Sequence, residues 1–135
     1  MPKVDRIQAE EEFDNWLDFK KIRSSKKESN KDFGEQIIDA ICEGDLSIDK
    51  DHNLSYKLGV SLEDENGAEK LSKLTFKPRL KVHELNSKLK GVKSDDGDGR
   101  IVAYVSAITG QPGGIIRNLD TSDYGICQAI VMYFL

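Results

Sequence analysis

The segment LSIDKDHNLSYKLGVSLEDENGAEKLSKLTFKP, residues 46–78, switches the chain from a helical to a strand-like period. Leu46, Ile48, Leu54, Tyr56, Leu58, Val60 and Leu62 alternate with polar residues on either side of Asp49-Lys50-Asp51-His52-Asn53. That is the pattern of two half-buried strands joined by a turn. After a second turn at Glu63-Asp64-Glu65-Asn66-Gly67, Leu71, Leu74 and Phe76 predict a third strand, which Pro78 ends because proline has no N–H to give a ladder. A small antiparallel meander over residues 45–77 is the expectation.

Outward from this meander the period is helical. On the amino-terminal side Ile7, Ala9, Phe13, Trp16, Leu17 and Phe19 recur mostly at three- and four-residue intervals, predicting a helix from Val4 to Ile22. Its acids come first and Lys20, Lys21 and Arg23 come last, the order the helix dipole favours. Residues 24–31 are polar without apolar periodicity and read as a linker. A second helix is predicted from Asp32 to Glu43, with Phe33, Ile37, Ile38, Ile41 and Cys42 on one face and Gly44 to stop it. On the carboxyl-terminal side helices are predicted over Val82–Leu89 and Gly99–Thr109, then a short turn carrying Ile115, Ile116 and Leu119. A last helix, capped within Asp120-Thr121-Ser122-Asp123, should run to the end of the sequence. The expected fold is α+β and mostly helical: residues 1–31 an arm and linker, residues 32–135 one globular domain ending in a helical bundle over 82–135.

With 135 residues the chain has the size of one domain. It carries 24 acids against 20 bases, a net charge of -4, so coating nucleic acid is not its expected task. Cys42 and Cys127 show neither CxxC nor Cys/His ligand spacing, which argues against a disulfide framework or a zinc site and for a reducing compartment. The first residues reach acids before any apolar run of signal-peptide length, and no stretch approaches a membrane span. The cytoplasm of the cell that makes it is the expected location.

Motifs with chemical potential fail on their spacing. Asp49 opens a run that resembles a calcium loop, but the sixth and twelfth places, which need glycine and a bidentate glutamate, hold Leu54 and Val60. Asp95, Asp96 and Asp98 alternate with glycines and read as a solvated turn. His52 and His83 are the only histidines, and neither sits in a nucleophile–base frame. Gly110-Gln111-Pro112-Gly113-Gly114 lacks the lysine and hydroxyl of a phosphate loop and reads as a helix break. The basic stretch Lys77-Pro78-Arg79-Leu80-Lys81 reads as a solvated face. No catalytic residue, metal site or cofactor is expected, and elimination leaves protein binding. From Ile126 to Leu135 no side chain is charged, and a thin core that leaves part of such a run uncovered leaves a contact surface.

Residues 47–135 resemble the tail assembly chaperone family of long-tailed bacteriophages, Mu-like and lambda-like. In that family a hairpin strand ending in proline leads to a helix, a variable charged loop, a helix closed by a Thr-Gly-x-Pro turn, then a leucine, an aspartate and an apolar closing helix. Here the matching residues are Leu74-Thr75-Phe76-Lys77-Pro78, Val82 to Leu85, Ala107-Ile108-Thr109-Gly110-Gln111-Pro112, Leu119, Asp123 and Ala129 to Leu135. The first 44 residues and the long loop at Asp95–Gly99 depart from the pattern.

The resemblance implies a non-enzymatic protein that binds the tape measure protein, keeps it soluble and recruits tail tube subunits in the host cytoplasm. It also implies a longer form made by ribosomal frameshifting, which an apolar end would suit. The expected binding residues are Ile101, Tyr104, Val105, Ile126, Ile130, Tyr133 and Phe134, divided between the core and a groove for an amphipathic partner helix. Phe13 and Trp16 are large enough to dock the first helix on the main domain, to pair two subunits or to hold a partner; self-association is the favoured reading. Two readings compete: a phage-encoded inhibitor of a host protein acting through its acidic surface, and a minor structural component of the virion.

Overall fold

A computed structural model describes residues 3–135 of the chain. Helix α1 (Arg6–Lys20) buries Ala9, Phe13, Trp16 and Leu17, one stripe at positions i, i+4, i+7 and i+8. Lys21 ends it in the left-handed region, φ 58°. The Lys21 N–H reaches Asp18 O at 3.0 Å and the Ile22 N–H reaches Leu17 O at 3.1 Å, a Schellman closure without the usual glycine.

Residues 24–31, expected as a linker, are helical instead: α2 (Ser24–Ser29) leads through Asn30 into α3 (Lys31–Cys42). No residue of α2 is buried, so the apolar period that reveals most helices is missing. Nor does α1 stand apart as an arm. Its four buried residues belong to the same hydrophobic cluster as Ile37, Leu54, Phe76 and Ile130. On its outer side the Arg6 guanidinium donates to Glu10 (3.0 Å), Asp39 (2.9 Å) and Glu35, which ties α1 to α3. The two helices approach closely because position 34 is glycine: a Cβ there would meet the Tyr133 hydroxyl at 2.7 Å and the Phe13 ring at 3.2 Å.

The meander forms as expected. Strands β1 (Leu46–Ile48), β2 (Leu54–Glu63) and β3 (Glu69–Phe76) make one antiparallel sheet in the order β1-β2-β3. Leu54 pairs with Ile48 on one side and with Phe76 on the other. Asp49 accepts from the backbone N–H groups of Asp51 (2.8 Å) and Asn53 (3.0 Å), and His52 takes φ 67°, so this loop is an Asx turn. Asp64 does the same for Asn66 and Ala68. The strict alternation fails beyond Leu58: the register shifts between Lys57 and Leu62, and Val60 is 52% exposed. Asp123 supplies the reason. Its carboxylate accepts from the N–H groups of Gly59 (2.9 Å) and Val60 (3.1 Å) and from the Tyr56 hydroxyl (2.7 Å). Those backbone groups are thereby satisfied outside the ladder.

The remaining helices are α4 (Val82–Leu89), α5 (Gly97–Thr109), α6 (Gly113–Arg117) and α7 (Thr121–Val131). Asp96 caps α5 through the Gly99 N–H at 2.9 Å, Gly110 closes it at φ 78°, and Asp120 caps α7 through Ser122. Helix α7 packs against α3, α5 and β2. It stops at Val131 short of the expected end, because residues 132–134 turn back toward α1 with Tyr133 N–H on Ile130 O and Phe134 N–H on Val131 O. The Tyr133 hydroxyl then donates to Asn30 O at 2.9 Å, and the Asn30 amide donates to Met132 O at 2.9 Å. Among the described residues no helix is long and apolar enough to cross a membrane.

Candidate protein-binding cleft

The turn at residues 132–134 brings aromatic rings onto the end of α1. Tyr133 meets Phe13 edge-on with ring centroids 5.5 Å apart, and Phe134 lies 6.1 Å from Trp16. Opposite them the chain leaves β3 at Phe76, passes through Pro78 and enters α4. Glu84, in the first turn of α4, accepts from the Lys81 N–H at 3.0 Å and pairs with the Lys77 side chain, which fixes residues 77–81 against that helix. Between the two sides opens a cleft of about 560 Å³ lined by Lys20, Ile22, Pro78, Arg79, Leu80, Lys81, Val82, Leu85, Tyr104, Tyr133 and Phe134. Its lining combines aromatic, aliphatic and cationic side chains. At its edge Val82 is 75% exposed, far more than an aliphatic side chain on a helix would be if packed.

The cations of the cleft are held by the backbone. Lys20 Nζ donates to Pro78 O at 2.6 Å and sits 3.5 Å from the centroid of the Phe134 ring and 5.5 Å from that of Trp16. Arg79 donates to Phe19 O at 3.0 Å, with its guanidinium carbon 4.9 Å from the Phe19 ring. Phe19 in turn stacks on His52, centroids 4.0 Å apart. Burial, then the positive charges of Arg79 and Lys26, push the Lys20 ammonium down to about 8.

That depression means a charged Lys20 opposes folding at neutral pH. Below pH 8 the cost is present in full, because Lys20 is protonated in both the folded and unfolded chain. Between pH 8 and the ordinary lysine value of 10.5 the folded form loses its proton first, so stability rises with pH. Lys20→Met is therefore expected to stabilise the protein at pH 7 by about 1 kcal/mol, after allowance for solvent screening and the lost cation–π contact. Urea titrations of both proteins at pH 7 and pH 10 check this. The gap should shrink at the higher pH.

The seven residues expected to bind a partner do not act together. Tyr104, Tyr133 and Phe134 line the cleft, although the Tyr133 ring is mostly buried by α1 and α3. Val105 and Ile130 are fully buried core, and Ile101 packs half-buried on that core. Ile126 opens on a different depression, about 280 Å³, beside Ala40 and Tyr56 with Asp39, Glu43 and Asp45 at its rim. Phe13 and Trp16 are buried and dock α1 onto the rest of the chain, the first of the three roles their size allows.

The chain matches no family model, no curated protein and no solved structure.

Sequence reasoning missed the wall of the cleft from Pro78 to Leu85 and its cation at position 20. Within Lys77–Lys81 the signal was the alternation itself. Leu80 stands between Arg79 and Lys81 directly after a proline, and an extended stretch of that kind presents its apolar and basic groups side by side. Cys42 and Cys127 are free and buried, and burial with the nearby Asp123 pushes the Cys127 thiol up to about 12. Among the described residues no three of histidine, cysteine, aspartate and glutamate come together as a metal ion would need.

Proposed function

We propose that this chain is a non-enzymatic protein-binding module whose cleft between α1, α4 and residues 132–134 takes the apolar face of a partner segment. In the setting that the resemblance over residues 47–135 implies, the partner is a tape measure protein, kept soluble in the host cytoplasm until tail tube subunits assemble on it. The observation that carries the reading is the meeting of Tyr104 and Phe134 with exposed Val82 around one open cleft lined by aliphatic, aromatic and cationic side chains. Apolar surface of this kind beside large rings is where binding energy concentrates in protein interfaces.

Co-expression with a tape measure protein tests it. The wild-type chain should move that protein into the soluble fraction and co-purify with it. Val82→Glu, at a position too exposed to matter for folding, should weaken the association by about tenfold or more. A tape measure protein whose solubility ignores the chain would sink the proposal. Stoichiometric presence in finished virions would favour a structural component instead.

A further inference from the structure

The charges around the cleft are one-sided. The chain has more acids than bases, yet Lys20, Arg79 and Lys81 line the cleft and no aspartate or glutamate does. Among the described residues only Arg6, Lys27 and Lys77 pair with carboxylates, so what sets the cleft apart is the gathering of three cations around one apolar opening with no acid in its lining. Among the described residues Lys20, Arg79 and Lys81 have none within ion-pair distance, and Lys20 and Arg79 each give one donor to a backbone carbonyl. A lysine carries three donors and an arginine five, so most of their hydrogen-bonding capacity is unused by the fold.

We propose, resting on the protein-binding reading above, that the occupant of this cleft is an acidic amphipathic segment of a partner protein. Its apolar residues lie over Ile22, Leu80, Leu85 and Tyr104, and a carboxylate side chain meets Lys20 and Arg79. A carboxylate placed there offsets the repulsion between half-buried Lys20 and exposed Arg79, which in the free protein only backbone carbonyls and aromatic rings moderate. It also reads the partner bidentately through the guanidinium of Arg79. A neutral apolar segment fills the same space and leaves that repulsion in place. A basic segment is repelled, so the rim selects against the wrong partners as well as for the right one. The cation buried deepest, Lys20, is the specificity determinant, and Lys81 at the rim steers approach.

The test is a selection from a library of random peptides about 16 residues long, long enough for a short amphipathic helix, on the immobilised full chain and in parallel on Lys20→Met and Arg79→Gln. The Lys20→Met variant is expected to fold, since it removes a charge whose desolvation opposes folding. Peptides selected on the wild type should be enriched in aspartate and glutamate next to apolar residues. The best of them should bind at least about tenfold more weakly to Lys20→Met, and to the wild type when its own glutamate is changed to glutamine. Lys21→Gln, outside the cleft, should change binding little.

Three results overturn the proposal. Peptides that are lost on Val82→Glu but show no acidic enrichment, or that bind Lys20→Met equally well, leave protein binding at the cleft standing and remove its charge selectivity. Peptides with acidic residues that ignore Val82→Glu and Lys20→Met bind elsewhere. A selection that yields no binder sensitive to Val82→Glu removes the cleft reading and the present one with it.

Discussion

Trp16→Ala is expected to lower the unfolding free energy by about 3–5 kcal/mol, a large share of what holds a domain of this size together. Trp16 is fully buried. Its ring lies against Phe13, Tyr133 and Phe134 at centroid distances of 6.0, 6.2 and 6.1 Å, so removing it opens a cavity that three aromatic rings line. Its indole N–H also donates to His52 O at 3.2 Å, which pins the β1–β2 turn at a residue held with positive φ. Trp16→Phe keeps most of the ring contact and loses that donor, so a loss nearer 1 kcal/mol is expected. Urea unfolding followed by circular dichroism measures both. Were α1 an independent arm, neither change would move the transition of the remaining domain.

Asp123→Ala is expected to cost about 3 kcal/mol or more, because one carboxylate satisfies three donors. Its removal leaves the Tyr56 hydroxyl and the Gly59 and Val60 N–H groups without partners. Asp123 is 1% exposed, so water does not readily replace it. Its place in the first turn of α7 adds a favourable interaction with the helix dipole that alanine also loses. Asp123→Asn does not rescue the site. An amide has one acceptor oxygen, and its NH2 would face a backbone donor that the carboxylate now accepts. Hydrogen exchange gives the local readout: the amides of Gly59 and Val60 should lose protection well before the rest of the sheet. Equal protection in Asp123→Ala and the wild type would show that the ladder holds β2 unaided.

Much of this architecture was legible from periodicity and punctuation. Val82–Leu89 falls where predicted, Gly110 ends α5, and the three strands pair as a meander because Leu54, Tyr56, Leu74 and Phe76 alternate with polar neighbours. What escaped was held by single long-range contacts. Helix α2 has no apolar stripe to announce it. Asp123, legible only as a helix-capping candidate, is in the structure a partner for the displaced backbone of β2, 63 and 64 residues earlier in the chain. Val60 belongs to the apolar alternation by sequence and is exposed because the register slips at that point. For the candidate site, the aromatic half was visible in the uncharged run after Ile126. The cationic half was hidden because a lysine closing one helix and an arginine following a proline stand 59 positions apart, and only the fold brings both to one cleft.

The pair of hydrogen bonds between Asn30 and residues 132 and 133 sets an order on the chain's own birth. Helix α1 is synthesised early, but its aromatic partners Tyr133 and Phe134 are made more than a hundred residues later. During synthesis α1 can meet α3 and the β1–β2 turn as soon as residues 31–53 are made, but the aromatic cluster around Trp16 is completed only by residues 133 and 134. Until they arrive, two of the three rings around Trp16 are missing, and the face of the indole that they cover stays open.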